Sequence, residues 1–152
     1  MKVIFYKARY GNFVDKTFAF KTSSWKDRFN GKWLDSYSHC EVLFDDGMMY
    51  SASQWDNAVR SKEHHYNLAL WTYVDVDWNE LTARYKADAL LGVGYDYRAI
   101  ANFLLPIIGE DGSRMFCSEY CNEVGYYCND LKLQKDSYKE SPNSLYKRLT
   151  NG

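Results

Sequence analysis

The sequence predicts an α+β fold, an antiparallel sheet packed against helices, and three observations carry that expectation. Two strand-like runs flank a short acidic turn between residues 38 and 53. Capped stretches with helical spacing fill much of the second half. The order along the chain is strand, helix, antiparallel strands, then helices. At 152 residues the chain is about one domain by length. Residues 1–152 are therefore read as a single unit, with room for a core that needs no disulfide or metal staple.

The elements follow in order. Residues 2–8, KVIFYKA, read as a first strand. Residues 12–22 suit a short helix, with Val14 and Phe18 one turn apart. Residues 23–35 are polar and aromatic and read as a loop. Residues 38–44 form a strand, Asp45–Asp46–Gly47 a turn, and residues 48–53 the return strand. Residues 58–62 and 70–76 read as further strands. Asp77 suits the N-cap of a helix over 78–91, with Glu80 as its capping-box partner. Leu81, Tyr85, Ala89 and Leu90 recur there at helical spacing, and Gly92 and Gly94 end the run. A helix is expected over 97–105, a loop over 109–114, and a helix over 117–127 in spite of Gly125. Ser141 caps a last helix with Pro142 at its first position and Leu145 and Leu149 on one face.

Lys and Arg number 19 and Asp and Glu 20, a net charge of −1. That balance argues against binding nucleic acid or an anionic membrane through bulk charge, and leaves a local patch open. Hydrophobic residues at 46% and charged residues at 26% exclude wholesale disorder. The aromatic content, with 14 Tyr, is read as core and cleft lining. The longest apolar run, residues 103–108, is far short of the ~18 residues of a membrane span. The apolar run at residues 3–6 is too short for a signal peptide. The expectation is a cytoplasmic protein whose cysteines, Cys40, Cys117, Cys121 and Cys128, are free thiols.

Two residues carry the clearest chemistry. Cys117 stands where a loop turns into a helix. The unpaired N–H groups of a first helical turn favour thiolate over thiol, from a free pKa of ~8.5 toward neutrality. His39 lies in a strand, and an imidazole packed against that thiol makes an activated nucleophile. Each residue alone has a plainer reading: buried packing for Cys117, a local hydrogen bond for His39.

The order of short blocks adds weight. Gly11–Lys16, Thr22–Ser24, Ser38–His39–Cys40–Glu41–Val42, Tyr50–Ser51–Ala52–Ser53, Val59–Arg60, Tyr95–Asp96–Tyr97, Phe116–Cys117–Ser118–Glu119 and Ser141–Leu145 follow one another over nearly the whole chain. In this the chain resembles the permuted papain-like amidases, the YaeF/YiiX branch of the NlpC/P60 superfamily, many of whose small members are phage or bacterial proteins. There the His-bearing hairpin precedes the Cys-bearing helix, and this sequence keeps that order. The resemblance implies a papain-like domain with Cys117 as nucleophile and His39 as general base.

The third polar group is open between Ser51 and Glu41. The family's position, about a dozen residues after the histidine, is Ser51. A three-residue turn at Asp45–Gly47 with a Gly bulge puts His39, Glu41, Ser51 and Ser53 on one face. A two-residue turn puts Tyr50, Ala52 and Gln54 there instead. Glu41, two residues from His39, offers the negative charge that a serine lacks. Glu119 is read as shaping the site, Tyr95–Asp96–Tyr97 as packing the helix start or lining the cleft. Cys121, one turn from Cys117, is read as core or as a resolving thiol. Cys40 is expected on the sheet face opposite His39, and His64–His65 in a solvated loop. Cys-x3-Cys is not a usual zinc spacing, so neither metal nor cofactor is expected.

The expectation is a cysteine hydrolase or acyltransferase acting on an amide or ester, in a peptide, isopeptide or acyl-containing substrate. Two other readings stand beside it. One is an inactive binding module of the same fold. The other is a thiol redox protein using Cys117 and Cys121.

Overall fold

A computed structural model describes residues 1–65, 67, 69–98, 101, 112–130, 133 and 140–151. Strands β1 (Lys2–Lys7), β2 (Tyr37–Leu43), β3 (Met48–Ser53), β4 (Ala58–Glu63) and β5 (Trp71–Asp75) form an antiparallel sheet in the order β4-β3-β2-β1-β5. The helices among the described residues are α1 (Phe13–Thr22), α2 (Trp25–Phe29), α3 (Glu80–Ala89), α4 (Cys117–Tyr127) and α5 (Pro142–Thr150). The α+β class and the antiparallel sheet packed against helices are as expected.

In β1, consecutive apolar residues Val3, Ile4 and Phe5 are fully buried, because both faces of the sheet are covered at its centre. One face meets α3, α4 and α5 through Val3, Phe5, Cys40, Val42 and Ala52, packed with Ala83, Ala87, Tyr120, Val124, Leu145 and Leu149. On the other face Ile4, Leu43 and Met49 pack with Trp71 and Tyr73. The β2–β3 turn is the three-residue form. Val42 faces Tyr50 and Leu43 faces Met49, Phe44 N–H donates to the Met48 carbonyl at 2.9 Å, and Gly47 takes φ +86°. A left-handed glycine in the last turn position is the Gly-bulge geometry, and it fixes which side chains share the His39 face.

Several elements differ from expectation. Residues 23–35 are not a plain loop. They hold α2, capped by the Ser24 hydroxyl accepting from Asp27 N–H, and a 3-10 turn at Lys32–Asp35. The helix expected over 78–91 runs only over Glu80–Ala89. Its cap is Asn79, accepting from Thr82 N–H, rather than Asp77. Its buried face is Ala83 and Ala87, while Leu81 and Tyr85 are exposed. Close packing on α4 selects the small residues there. Trp78 precedes the helix, where its ring packs over Gly125 and its Nε1 donates to Asp130 at 2.8 Å. That contact explains a glycine inside α4: a Cβ at 125 would lie 2.3 Å from both Trp78 and Leu133. The expected helix at 97–105 and loop at 109–114 fall largely outside the described residues.

The termini of α5 and α1 meet at β2. Ser141 and Pro142 open α5 as expected, with Leu145 and Leu149 buried. Asn143 Oδ1 accepts from Tyr37 N–H at 2.8 Å, and its Nδ2 donates to Thr22 Oγ1 at 2.8 Å. This amide anchors the entry to β2, two residues before His39.

Candidate active site

The site forms where β2 and β3 part. β3 pairs with β4 along its full length, from Met48 to Ser53. Its recorded pairing with β2 is only Val42–Tyr50 and Leu43–Met49. Beyond that point the Ser51 hydroxyl donates to the Cys40 carbonyl at 2.8 Å, satisfying an acceptor that the separating strand leaves without a ladder partner. The first residue of α4, Cys117, meets β2 at this opening. Its sulfur accepts a hydrogen bond from the backbone N–H of Cys40 and shares side-chain hydrogen bonds with Cys40 and His39. Residues 39 and 40 point to opposite faces of β2, so a thiol that touches both sits between the faces.

His39 is held from its other side. Its Nε2 lies 3.0 Å from Glu41 Oε1, which leaves Nδ1 for the thiol. Glu41 is 2% exposed and also accepts two hydrogen bonds from Arg60, NH1 to Oε2 and NH2 to Oε1, both 2.8 Å. A bidentate guanidinium fixes the carboxylate plane, and the carboxylate fixes the imidazole. The chain is thus Arg60, Glu41, His39, Cys117, with Cys40 on the far side of the sulfur.

The electrostatics follow from these contacts. Burial raises the Glu41 pKa, but hydrogen bonds and charge from Arg60 and His39 outweigh it and hold the carboxyl down to about 2. Burial lowers that of His39. The Cys117 charge and hydrogen bond, with those of Glu41, outweigh it and lift His39 to about 10. The Cys117 thiol is pushed well below its ordinary value, most by the hydrogen bond from Cys40, then by the charge and hydrogen bond of His39, against burial. Cys40 moves the opposite way, chiefly through burial, and so stays a protonated donor. The two shifts run in opposite directions, and together they favour a thiolate on Cys117 beside an imidazolium on His39.

The pair backs onto a cleft of about 560 Å³ walled by Tyr6, Tyr10, Trp55, Trp71 and Tyr95, with His39 and Glu41 among its lining. The His39 side chain is 23% exposed there. Cys117 is 2% exposed and touches His39 without itself lining the cleft. Tyr95, one of the wall residues, is buried close to Cys117. Its hydroxyl pKa is raised by burial and then by the Cys117 charge.

Of the candidate residues, the structure brings together Cys117, His39 and Glu41. Ser51 is fully buried, and its hydroxyl is engaged by the Cys40 and Ala52 carbonyls rather than by the imidazole. Ser53 lines the cleft. Glu119 Oε2 accepts from Phe116 N–H at 3.4 Å, capping α4. The thiol neighbour of Cys117 is Cys40, which also hydrogen-bonds Cys121. Cys40 therefore does more than fill the opposite face. His64 is buried, not solvated. Its Nε2 lies 2.9 Å from the Tyr73 hydroxyl and its Nδ1 3.2 Å from Met49 sulfur. Arg60 has no assigned role in the sequence reading. The signal for it is the register: residue 60 pairs with Ser51, and Ser51 shares a face with Glu41.

Among the described residues no group of three His, Cys, Asp or Glu side chains is placed to hold a metal ion, and no helix is long and apolar enough to cross a membrane. Comparison of the chain with protein-family models, with curated proteins and with solved structures finds no match.

Proposed function

We propose that the protein is a papain-like cysteine hydrolase or acyltransferase that opens an amide or ester through a thioester on Cys117. The observation that carries this reading is the contact of Cys117, at a helix N-terminus, with His39, whose ring is held from its other side by the buried Glu41 carboxylate. A lone buried cysteine needs none of this. A nucleophile needs all of it.

The Cys117 sulfur attacks the substrate carbonyl carbon, and the carbonyl π electrons move to oxygen. The Cys117 backbone N–H, in a first turn that lacks intrahelical acceptors, and the Tyr95 hydroxyl are the donors to that oxyanion. As the tetrahedral adduct collapses, the proton on His39 goes to the leaving amine or alcohol. Water, or an acceptor amine or alcohol, then gives a proton to His39 and attacks the thioester, which frees Cys117. Glu41 does not change protonation. It holds the ring and stabilises imidazolium, as the carboxylate of a triad does.

The test is acyl capture. Incubated with a panel of activated esters and anilides, the wild-type protein is expected to carry the acyl group on Cys117 by peptide mass spectrometry and to turn over. Cys117→Ala is expected to show neither. His39→Ala is expected to lose at least about a hundredfold in rate, the ordinary contribution of a general acid–base. Turnover retained in Cys117→Ala would end the thioester mechanism.

A further inference from the structure

The helices beside the cleft are apolar on the wrong side. α1 buries Phe18 and Ala19 against the rest of the molecule, as a surface helix should. At 100° per residue, Phe20, Phe13, Lys21 and Val14 fall in one outward arc. Phe13 is 83% exposed. α2, the next helix, adds two exposed rings: Trp25 and Phe29 stack edge to face at 6.0 Å and are 66% and 85% exposed. The two helices hold together, since Arg28 donates to the Lys21 carbonyl and covers the Phe20 ring at 5.3 Å. Aromatic rings clustered in water mark an interaction surface.

The charge on the same segment says what covers it. Between residues 12 and 32 stand Lys16, Lys21, Lys26, Arg28 and Lys32 against Asp15 and Asp27, a surplus of three cations in a chain of net charge −1. Lys21, Lys26 and Lys32 are exposed. Exposed aromatic rings among lysines suit the boundary between lipid headgroups and acyl chains, with the rings inserted and the ammonium groups at the phosphates. A protein partner core is depleted in lysine, and nucleic acid offers no apolar layer for Phe13 and Phe29. The face also adjoins the cleft, because Tyr10 and Val14 belong to its wall.

We propose that the outer face of α1 and α2 docks on an anionic lipid bilayer and sets the cleft mouth against it.

The test is co-sedimentation with vesicles of phosphatidylcholine mixed with phosphatidylglycerol, against phosphatidylcholine alone, at low and high salt. Wild type is expected to bind the mixed vesicles, and less so at high salt. The double variant Trp25→Ala/Phe29→Ala is expected to bind about tenfold more weakly or worse. Lys21→Gln/Lys26→Gln/Lys32→Gln is expected to lose about fivefold per lysine. Both sets of positions are exposed, and circular dichroism checks that the variants fold. No binding to mixed vesicles overturns the proposal. So does binding that ignores the aromatic pair, or binding to single-stranded RNA in place of vesicles. Vesicle binding by a protein whose Cys117 never acylates would sink the hydrolase reading alone and leave the docking surface standing.

Discussion

The largest single contribution that lowers the Cys117 pKa is the hydrogen bond with the Cys40 side chain. A hydrogen bond to a charged group contributes about 1.5–3 kcal/mol, which corresponds to roughly one to two units of pKa. Cys40→Ala is therefore expected to raise the Cys117 titration midpoint by about that much, while Cys40→Ser, which keeps a donor, is expected to hold it. The midpoint is read from thiolate absorbance in the ultraviolet with Cys117→Ala subtracted. Glu41 makes a separate prediction through stability. Its folded pKa of about 2 lies below the ordinary 4.5. Its contribution is thus fully present above about pH 4.5 and is lost as pH falls through 2. The size is about 3 kcal/mol. Glu41→Gln is expected to be less stable than wild type at pH 7 by that order or more, since Arg60 is left buried without its charge partner. The gap should close toward pH 2, as urea unfolding at several pH values would record. A gap that stays constant with pH would mean that Glu41 is not ionised in the fold.

At the scale of elements, the hairpin and the helix that meet at the site were legible in the sequence. The Asp45–Asp46–Gly47 turn carries its own register, because a three-residue loop with a left-handed glycine places Ser51 and Ser53 on the face of His39 and Glu41. The Cys117 helix was legible from its start. The Ser141–Pro142 start of α5 is likewise a local signal, and local signals survive folding. What the sequence hid is set by distant partners. The parting of β2 from β3 follows from the insertion of α4, which no strand pattern records. It is the reason that Cys40 reaches Cys117 although it points away from His39. The buried face of α3 was misread because size and not hydrophobicity decides a close helix–helix contact: Ala83 and Ala87 fit where Leu81 and Tyr85 do not. Gly125 marks the same closeness from the α4 side. Gly125→Ala is expected to force Trp78 and Leu133 outward and to lower stability by about 1–3 kcal/mol, as overpacking does. A melting temperature equal to wild type would refute the contact.

For the whole molecule, the sheet is the rigid body that makes the site. β2 at its centre carries His39, Cys40 and Glu41. β4 at one edge supplies Arg60 across two ladders. The packed face delivers Cys117, and the open face holds the cleft. Cys117 is nearly enclosed, at 2% exposed. Each rate taken relative to that of a small free thiol, a bulky maleimide is accordingly expected to be slowed at Cys117 more than iodoacetamide, and equal slowing would contradict the enclosure. The central claim is the charged pair between Cys117 and His39. It is tested most directly by the pH dependence of iodoacetamide alkylation at Cys117, read by peptide mass spectrometry in wild type and His39→Ala. Using the midpoint of the profile, not its height, removes the effect of access. The account predicts a wild-type midpoint well below the free thiol value of ~8.5 and an upward move in His39→Ala. A wild-type midpoint at the free value, or one that His39→Ala leaves in place, would contradict it.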